Sequence, residues 1–211
     1  MNRDDVHART ARNRRRLADV LEGLGPAQWE AGTLCEGWTV RVLAGHLLQP
    51  MLVGFGRFLL ASLRHRGDTA ATVDSLARRL ARPGPAELVA LLRRHAGDRV
   101  DPPRVGPMGP FAETCVHLRD LARPLGLDAD VPREDWVLLL DHLVSPGVAP
   151  GLTTPARAGG LTLRATDAGW RHGTGPAVAG TVEALAMALT GRRAALADLD
   201  GPGREVLARR P

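Results

Sequence analysis

Apolar residues recur three and four positions apart through most of the chain up to residue 144, the spacing of helices with one buried face. Residues 4–24 carry Val6, Leu17, Val20, Leu21 and Leu24 among charges, a stripe that ends near Gly23–Pro26. A loop holding Trp29 and Trp38 then leads to Thr39, whose hydroxyl is placed to cap a helix containing Leu43, His46 and Leu47. Pro50 has no N–H for the carbonyl of residue 46, so this helix is expected to bend there and resume through Phe55, Phe58, Leu59 and Leu63. Residues 75–96 predict a short helix, a Pro-Gly-Pro break and a second helix from about Pro85, and 97–110 a Pro/Gly-rich loop. Two more helices are predicted, one over about Phe111–Arg123 and one over 133–144, the latter anchored by Trp136, Leu139, Leu140 and Leu143 with His142 at its edge.

Beyond residue 144 the pattern changes. Residues 145–160 read as a linker, LTLRATD at 161–167 alternates as a strand does, and RHGTGPAVAG suggests turns and short strands. Helical spacing returns over Val182–Leu189 and Arg192–Leu199. The expectation is therefore a helical bundle over 1–150 and a small α+β domain over 151–211, with no internal repeat.

A chain of 211 residues, 44% of them hydrophobic, can bury a substantial core without cross-links, and its two cysteines, Cys35 and Cys115, fit small packing residues in a reducing compartment. The charged N-terminus lacks the apolar run of a signal peptide, and MLVGFGRFLLA is too short to span a bilayer, which points to a cytoplasmic protein with no membrane partner. The net charge is +5, and all 28 basic side chains other than histidine are arginine, scattered beside acidic residues. That distribution reads as solvated helix faces, and without aromatic interleaving or a recognition-helix pattern it implies no nucleic-acid partner.

Candidate chemistry starts at His46, which shares the inward face with Leu43 and Leu47. An imidazole there needs partners, either the side chain and carbonyl that satisfy a core histidine or a metal. Glu113 and His117 are four residues apart, one turn above each other on a second helix, while Cys115 between them points elsewhere. Together the three residues make a two-histidine, one-carboxylate set suited to a divalent transition metal with open positions. Asp120, one turn past His117, is placed to orient a site residue or to pair with Arg123. His142 and Cys35 are the candidates for a fourth side chain that would close such a site.

These motifs carry a resemblance. WEAGTLCEGWTVRVLAGHL at 29–47, ETCVHLRD at 113–120 followed by RPLGL, and the tail LTLRATDAGWRHGTGPAVAGTVEALAMALTGR at 161–192 resemble the mycothiol-dependent maleylpyruvate isomerase family. Its N-terminal domain is related to DinB/YfiT-like metal-binding bundles. The resemblance implies an α+β fold, a DinB-like up-and-down four-helix bundle followed by a small α+β domain. It also implies Zn2+ or another divalent metal on His46, Glu113 and His117, and mycothiol as thiol co-substrate. One position departs from the pattern: Val42 stands where an aspartate is usual, which removes the acidic half of a capping box with Thr39.

The implied activity is that of an isomerase or thiol transferase acting on a small electrophile, in a monomer or small homo-oligomer, with catalysis passing through the metal of His46, Glu113 and His117. Arg119, Arg123 and Arg192 are candidate receivers of substrate carboxylates. The competing class is a metal-binding or ligand-sensing helical protein without turnover, which an enclosed, fully ligated site would favour.

Overall fold

Helix α1 (Arg3–Glu22) starts where the Asn2 side chain accepts the Asp4 N–H, and Asp4 and Asp5 set negative charge against the helix's positive end. The computed structural model to which it belongs describes residues 2–103, 105–149 and 151–210. A single turn, α2 (Pro26–Trp29), precedes α3 (Val40–Leu52). The Thr39 hydroxyl accepts the Val42 N–H at 3.4 Å, so the cap forms as expected without an acidic partner. Val42 is buried, and a carboxylate in its place would lose its solvation. Pro50 lies inside α3, which ends two residues later, and the chain resumes as α4 (Phe55–Arg64) after Gly54.

Next come α5 (Thr69–Leu80), α6 (Pro85–Arg94) and α7 (Met108–Ala122). Helix α5 begins well before Ser75, the predicted start, because the Asp68 carboxylate caps the Ala71 N–H at 3.0 Å. The Pro83-Gly84-Pro85 break separates α5 from α6, as the sequence predicts. Helix α1 packs against α6 and α7, and α3 against α5, α6 and α7, giving a four-helix bundle whose third member is split by that break. Leu17 and Leu21 of α1, Leu43 and Leu48 of α3, Leu88 and Leu92 of α6, and Phe111, Leu118 and Leu121 of α7 are fully buried in its core. Truncating any of these leucines to alanine is expected to cost about 2–5 kcal/mol.

Gly45 determines how closely α3 and α5 approach. A β-carbon there would collide with the Ala77 carbonyl oxygen and the Ala81 backbone nitrogen. The absent side chain thus draws the residue next to it, His46, into the interior. The predicted loop at 97–110 is irregular up to α7, with Arg104 outside the described residues.

The chain divides into two compact units after Asp130. The boundary expected from composition falls on Pro150, outside the described residues. Helix α8 (Arg133–Leu143), read from sequence as an addition to the bundle, belongs to the second unit, because its apolar side packs on α10 (Val182–Leu189). Between them lie the single turn α9 (Pro155–Ala158) and three strands, β1 (Thr162–Ala165), β2 (Arg171–His172) and β3 (Ala177–Gly180). The sheet order is β2-β1-β3, with β1 antiparallel to β2 and parallel to β3. Arg193–Asp198, expected to be helical, is a 3-10 helix, and α11 (Arg204–Ala208) closes the unit. No helix among the described residues is long and apolar enough to cross a membrane.

Candidate metal centre

The loop between α2 and α3 is folded back on itself. Thr33 N–H donates to the Trp38 carbonyl and Trp38 N–H to the Cys35 carbonyl, each at 3.0 Å. Gly37 occupies the turn at φ +74°, a conformation other residues adopt only with strain. Leu34 N–H donates to the Asp120 carbonyl at 3.0 Å, tying the loop to α7. Two side chains are delivered in this way. Trp38 sits over His46 with ring centroids 5.0 Å apart, and its indole N–H donates to Asp74 at 2.8 Å. Cys35 arrives beside His117 and Asp120.

The three predicted ligands are neighbours. His46 Nε2 and Glu113 Oε1 are 3.7 Å apart, and the rings of His46 and His117 meet edge to face at 4.9 Å between centroids. A second group lies immediately beyond His117. Its Nδ1 is 2.8 Å from Asp120 Oδ2 and 3.8 Å from Cys35 Sγ, and the thiol donates to the same carboxylate oxygen at 3.3 Å. Among the described residues, Cys35, His117 and Asp120 are the trio whose ligand atoms all lie within 4.8 Å of one another; His46, Glu113 and His117 do not meet that spacing as a set, although His117 adjoins both groups.

Electrostatics separate the two sides of that histidine. Burial opposes a charge on the His117 ring, but hydrogen bonds and charge from Asp120 and Cys35 outweigh it, and its pKa is pushed up to about 9. Burial pushes the Glu113 carboxyl up, while His117 and Arg14 pull it back toward ionisation. Arg14 is one of the arginines that the sequence reading places on solvated helix faces. It is instead buried, donating to the carbonyls of Ala96 at 3.3 Å and Asp98 at 2.8 Å, and burial lowers its pKa.

His46 and Glu113 line a cavity of about 700 Å³ within the first unit. Gln49 and Val73 stand near them, Phe55 and Phe58 of α4 form one wall, and Pro102 and Pro103 another. Glu113 is deep in the bundle, yet about a third of its side chain is exposed.

A family model for the mycothiol maleylpyruvate isomerase N-terminal domain matches residues 10–122, more than half of the chain. The chain belongs to that family. All three predicted metal ligands, together with Cys35, Trp38 and Asp120, fall inside the matched region. Two solved structures of mycothiol-dependent maleylpyruvate isomerase share the family's DinB-like fold with this chain. One, a histidine-to-alanine mutant, superposes with a TM-score of 0.59 over 96% of this chain and 93% of that one, at 13% identity. The other gives 0.56 over 91% and 90%, at 14% identity. No curated protein matches the chain significantly in sequence.

The arginines expected to receive substrate are elsewhere than the described cavity lining. Arg119 donates to the Ala129 carbonyl at 2.8 Å, Arg123 forms the C-cap of α7, and Arg192 of the second unit donates to the Thr190 carbonyl at 2.7 Å. His142 lies on α8 of the second unit. Sequence reading missed three contributors: Arg14, the Trp38–Asp74 pair and the Cys35–Asp120 contact. The quoted motif contained Trp38 and Cys35, but nothing in the local pattern linked either to a partner.

Proposed function

We propose that the protein is a metal-dependent enzyme that uses a low-molecular-weight thiol, mycothiol in keeping with its family, to isomerise or conjugate a small electrophile. The observation that carries this reading is a two-histidine, one-carboxylate set of which His46 and Glu113 open onto a cavity of substrate size. Donor spacing supports His46 and Glu113 as ligands, with the adjacent His117 ring as the third. Tetrahedral zinc with bonds of about 2.0–2.1 Å to nitrogen and oxygen separates its donors by roughly 3.3 Å. The 2.8 Å between His117 Nδ1 and Asp120 is shorter than that and suits a shared proton, whereas the 3.7 Å between His46 and Glu113 leaves room for an ion. On this reading Asp120 holds the His117 Nδ1 proton and leaves Nε2 as the donor, and Cys35 supports Asp120.

A divalent ion on this set would keep a bound thiol in its thiolate form near neutral pH. Arg14 favours the ionised form of Glu113, and the proline and phenylalanine side chains of the cavity lining offer apolar surface beside it. In an isomerisation the thiolate sulfur bonds one alkene carbon and the π pair moves onto the conjugated carbonyl oxygen. Rotation follows about what is now a single bond, and the pair then returns to expel the thiolate. In a transfer, a proton at the neighbouring carbon replaces that expulsion and the thiol stays on.

The test is a screen of activated alkenes and epoxides with mycothiol and the zinc-loaded protein, alongside His46→Ala. Turnover that needs thiol, metal and His46 together is the expected result. Zinc and thiol binding without turnover across the screen would instead support a ligand-binding protein.

A further inference from the structure

We propose that the electrophile is an uncharged, largely apolar molecule and not a dicarboxylate. The inference rests on the functional reading above for the reaction, and on the composition of the cavity wall for the substrate class. Receiving two carboxylates calls for cationic donors aimed at the ligand, usually arginines in bidentate geometry. The described lining has a single arginine, Arg99, whose guanidinium is already shared with Asp4 at 2.8 Å and is largely exposed. Against it stand the carboxylates Asp98 and Asp101, besides Glu113, which the divalent ion of the functional reading would occupy.

Two of those acids have partners on their outer side. Asp98 is 2.7 Å from His95 Nδ1, and Asp101 is 2.6 Å from Arg3 and 3.3 Å from His7. The arginines of this rim, Arg3 and Arg99, are therefore engaged in holding the loop to α1. With a divalent ion on Glu113 and a thiolate bound to it the reacting centre is neutral, so a dianion would meet Asp98 and Asp101 with no cation among the described lining residues left to offset its desolvation.

The rest of the wall is suited to apolar surface: Met51, Val53, Phe55, Phe58, Pro102 and Pro103. Apolar surface also continues outward along α4, where Phe55, Leu59, Leu60 and Leu63 are 62%, 52%, 65% and 69% exposed. A single polar end, such as the carbonyl of an enone, enal or ester, would lie toward Gln49 and His46 and its hydrocarbon part against α4.

Succinate and dimethyl succinate test this directly, since they share a carbon skeleton, differ in charge and cannot alkylate a thiol. Met51 lines the cavity and is one of only four methionines, so methyl-13C methionine labelling of the zinc-loaded full chain, with mycothiol present, gives an assignable reporter. Dimethyl succinate should shift the Met51 signal at a concentration at least ten times lower than succinate, and Phe58→Arg should narrow or reverse that ratio. Equal or tighter binding of succinate, or no shift of Met51 with either compound, overturns the proposal. Failure of the functional reading looks different. A protein that prefers the diester but turns over no electrophile contradicts the reaction and not the cavity's preference, while thiol-dependent turnover of a dicarboxylate contradicts the preference alone.

Discussion

His117 separates two regions built from the same kinds of side chain. Toward the α2–α3 loop it meets Asp120 and Cys35 at 2.8 Å and 3.8 Å, with a proton-sharing contact, and neither of the two is among the described lining of the cavity. Toward α3 it meets His46, which stands 3.7 Å from Glu113 on the cavity wall. Imidazole, carboxylate and thiol all ligate metals, so residue type cannot tell the two regions apart. Spacing and access can: groups at hydrogen-bond distance satisfy each other, whereas groups slightly farther apart and facing a cavity are arranged for a guest.

Breaking the cavity side should have the largest effect. His46→Ala removes a proposed ligand and should lower zinc affinity by more than about 100-fold, since even outer-shell partners are worth about 10–100-fold. The helical circular dichroism should be retained, because the leucines around His46 still fill the core. Unchanged zinc content would mean that the cavity-side donors do not bind metal.

Asp120→Asn probes the other side and should be milder. Zinc affinity should fall by about 10–100-fold through loss of orientation. In the metal-free protein the His117 pKa should drop from about 9, because an asparagine oxygen can still accept from Nδ1 but the carboxylate charge that raises the pKa is lost. An NMR titration of the ring reads this out, and an unmoved pKa would separate Asp120 from the site.

The same shift sets a pH dependence for the metal-free protein. The folded-state pKa of His117, about 9, lies above its ordinary value of 6.5, so the stability it contributes is fully present below 6.5 and is lost as pH rises through 9. Denaturant titrations should show a loss of about 3 kcal/mol across that window, reduced in Asp120→Asn. Stability that is flat over the range would contradict the Asp120–His117 contact.

The smallest effect is expected for Cys35→Ser. A hydroxyl can still donate to Asp120, so zinc affinity should change by less than about tenfold as measured by competition with a chelator. A loss as large as that of His46→Ala would move the metal to the loop side of His117.

What the sequence revealed follows the same division. Helical periodicity places His46 with Leu43 and Leu47, and Glu113 one turn from His117, so the cavity-side residues stand out as polar interruptions of apolar faces. The four-helix bundle and the later strand pattern were legible for a related reason, since repeat spacing is a local property. The loop-side contacts join residues 82 and 85 positions apart and depend on how a folded-back loop meets α7, which no local pattern encodes. Arg14 was hidden within RRR, where helix geometry alone does not say which arginine turns inward. Helix α8 carried a clear apolar stripe, but nothing in the stripe said that its partner would be α10 and not the bundle.

X-ray absorption at the zinc edge of the loaded protein, without added thiol, tests the central claim most directly. Coordination through His46, Glu113 and His117 predicts a first shell of nitrogen and oxygen alone at about 2.0–2.1 Å, unchanged by Cys35→Ser. A sulfur scatterer near 2.3 Å that disappears in Cys35→Ser would put the metal with Cys35 and Asp120 and contradict the account.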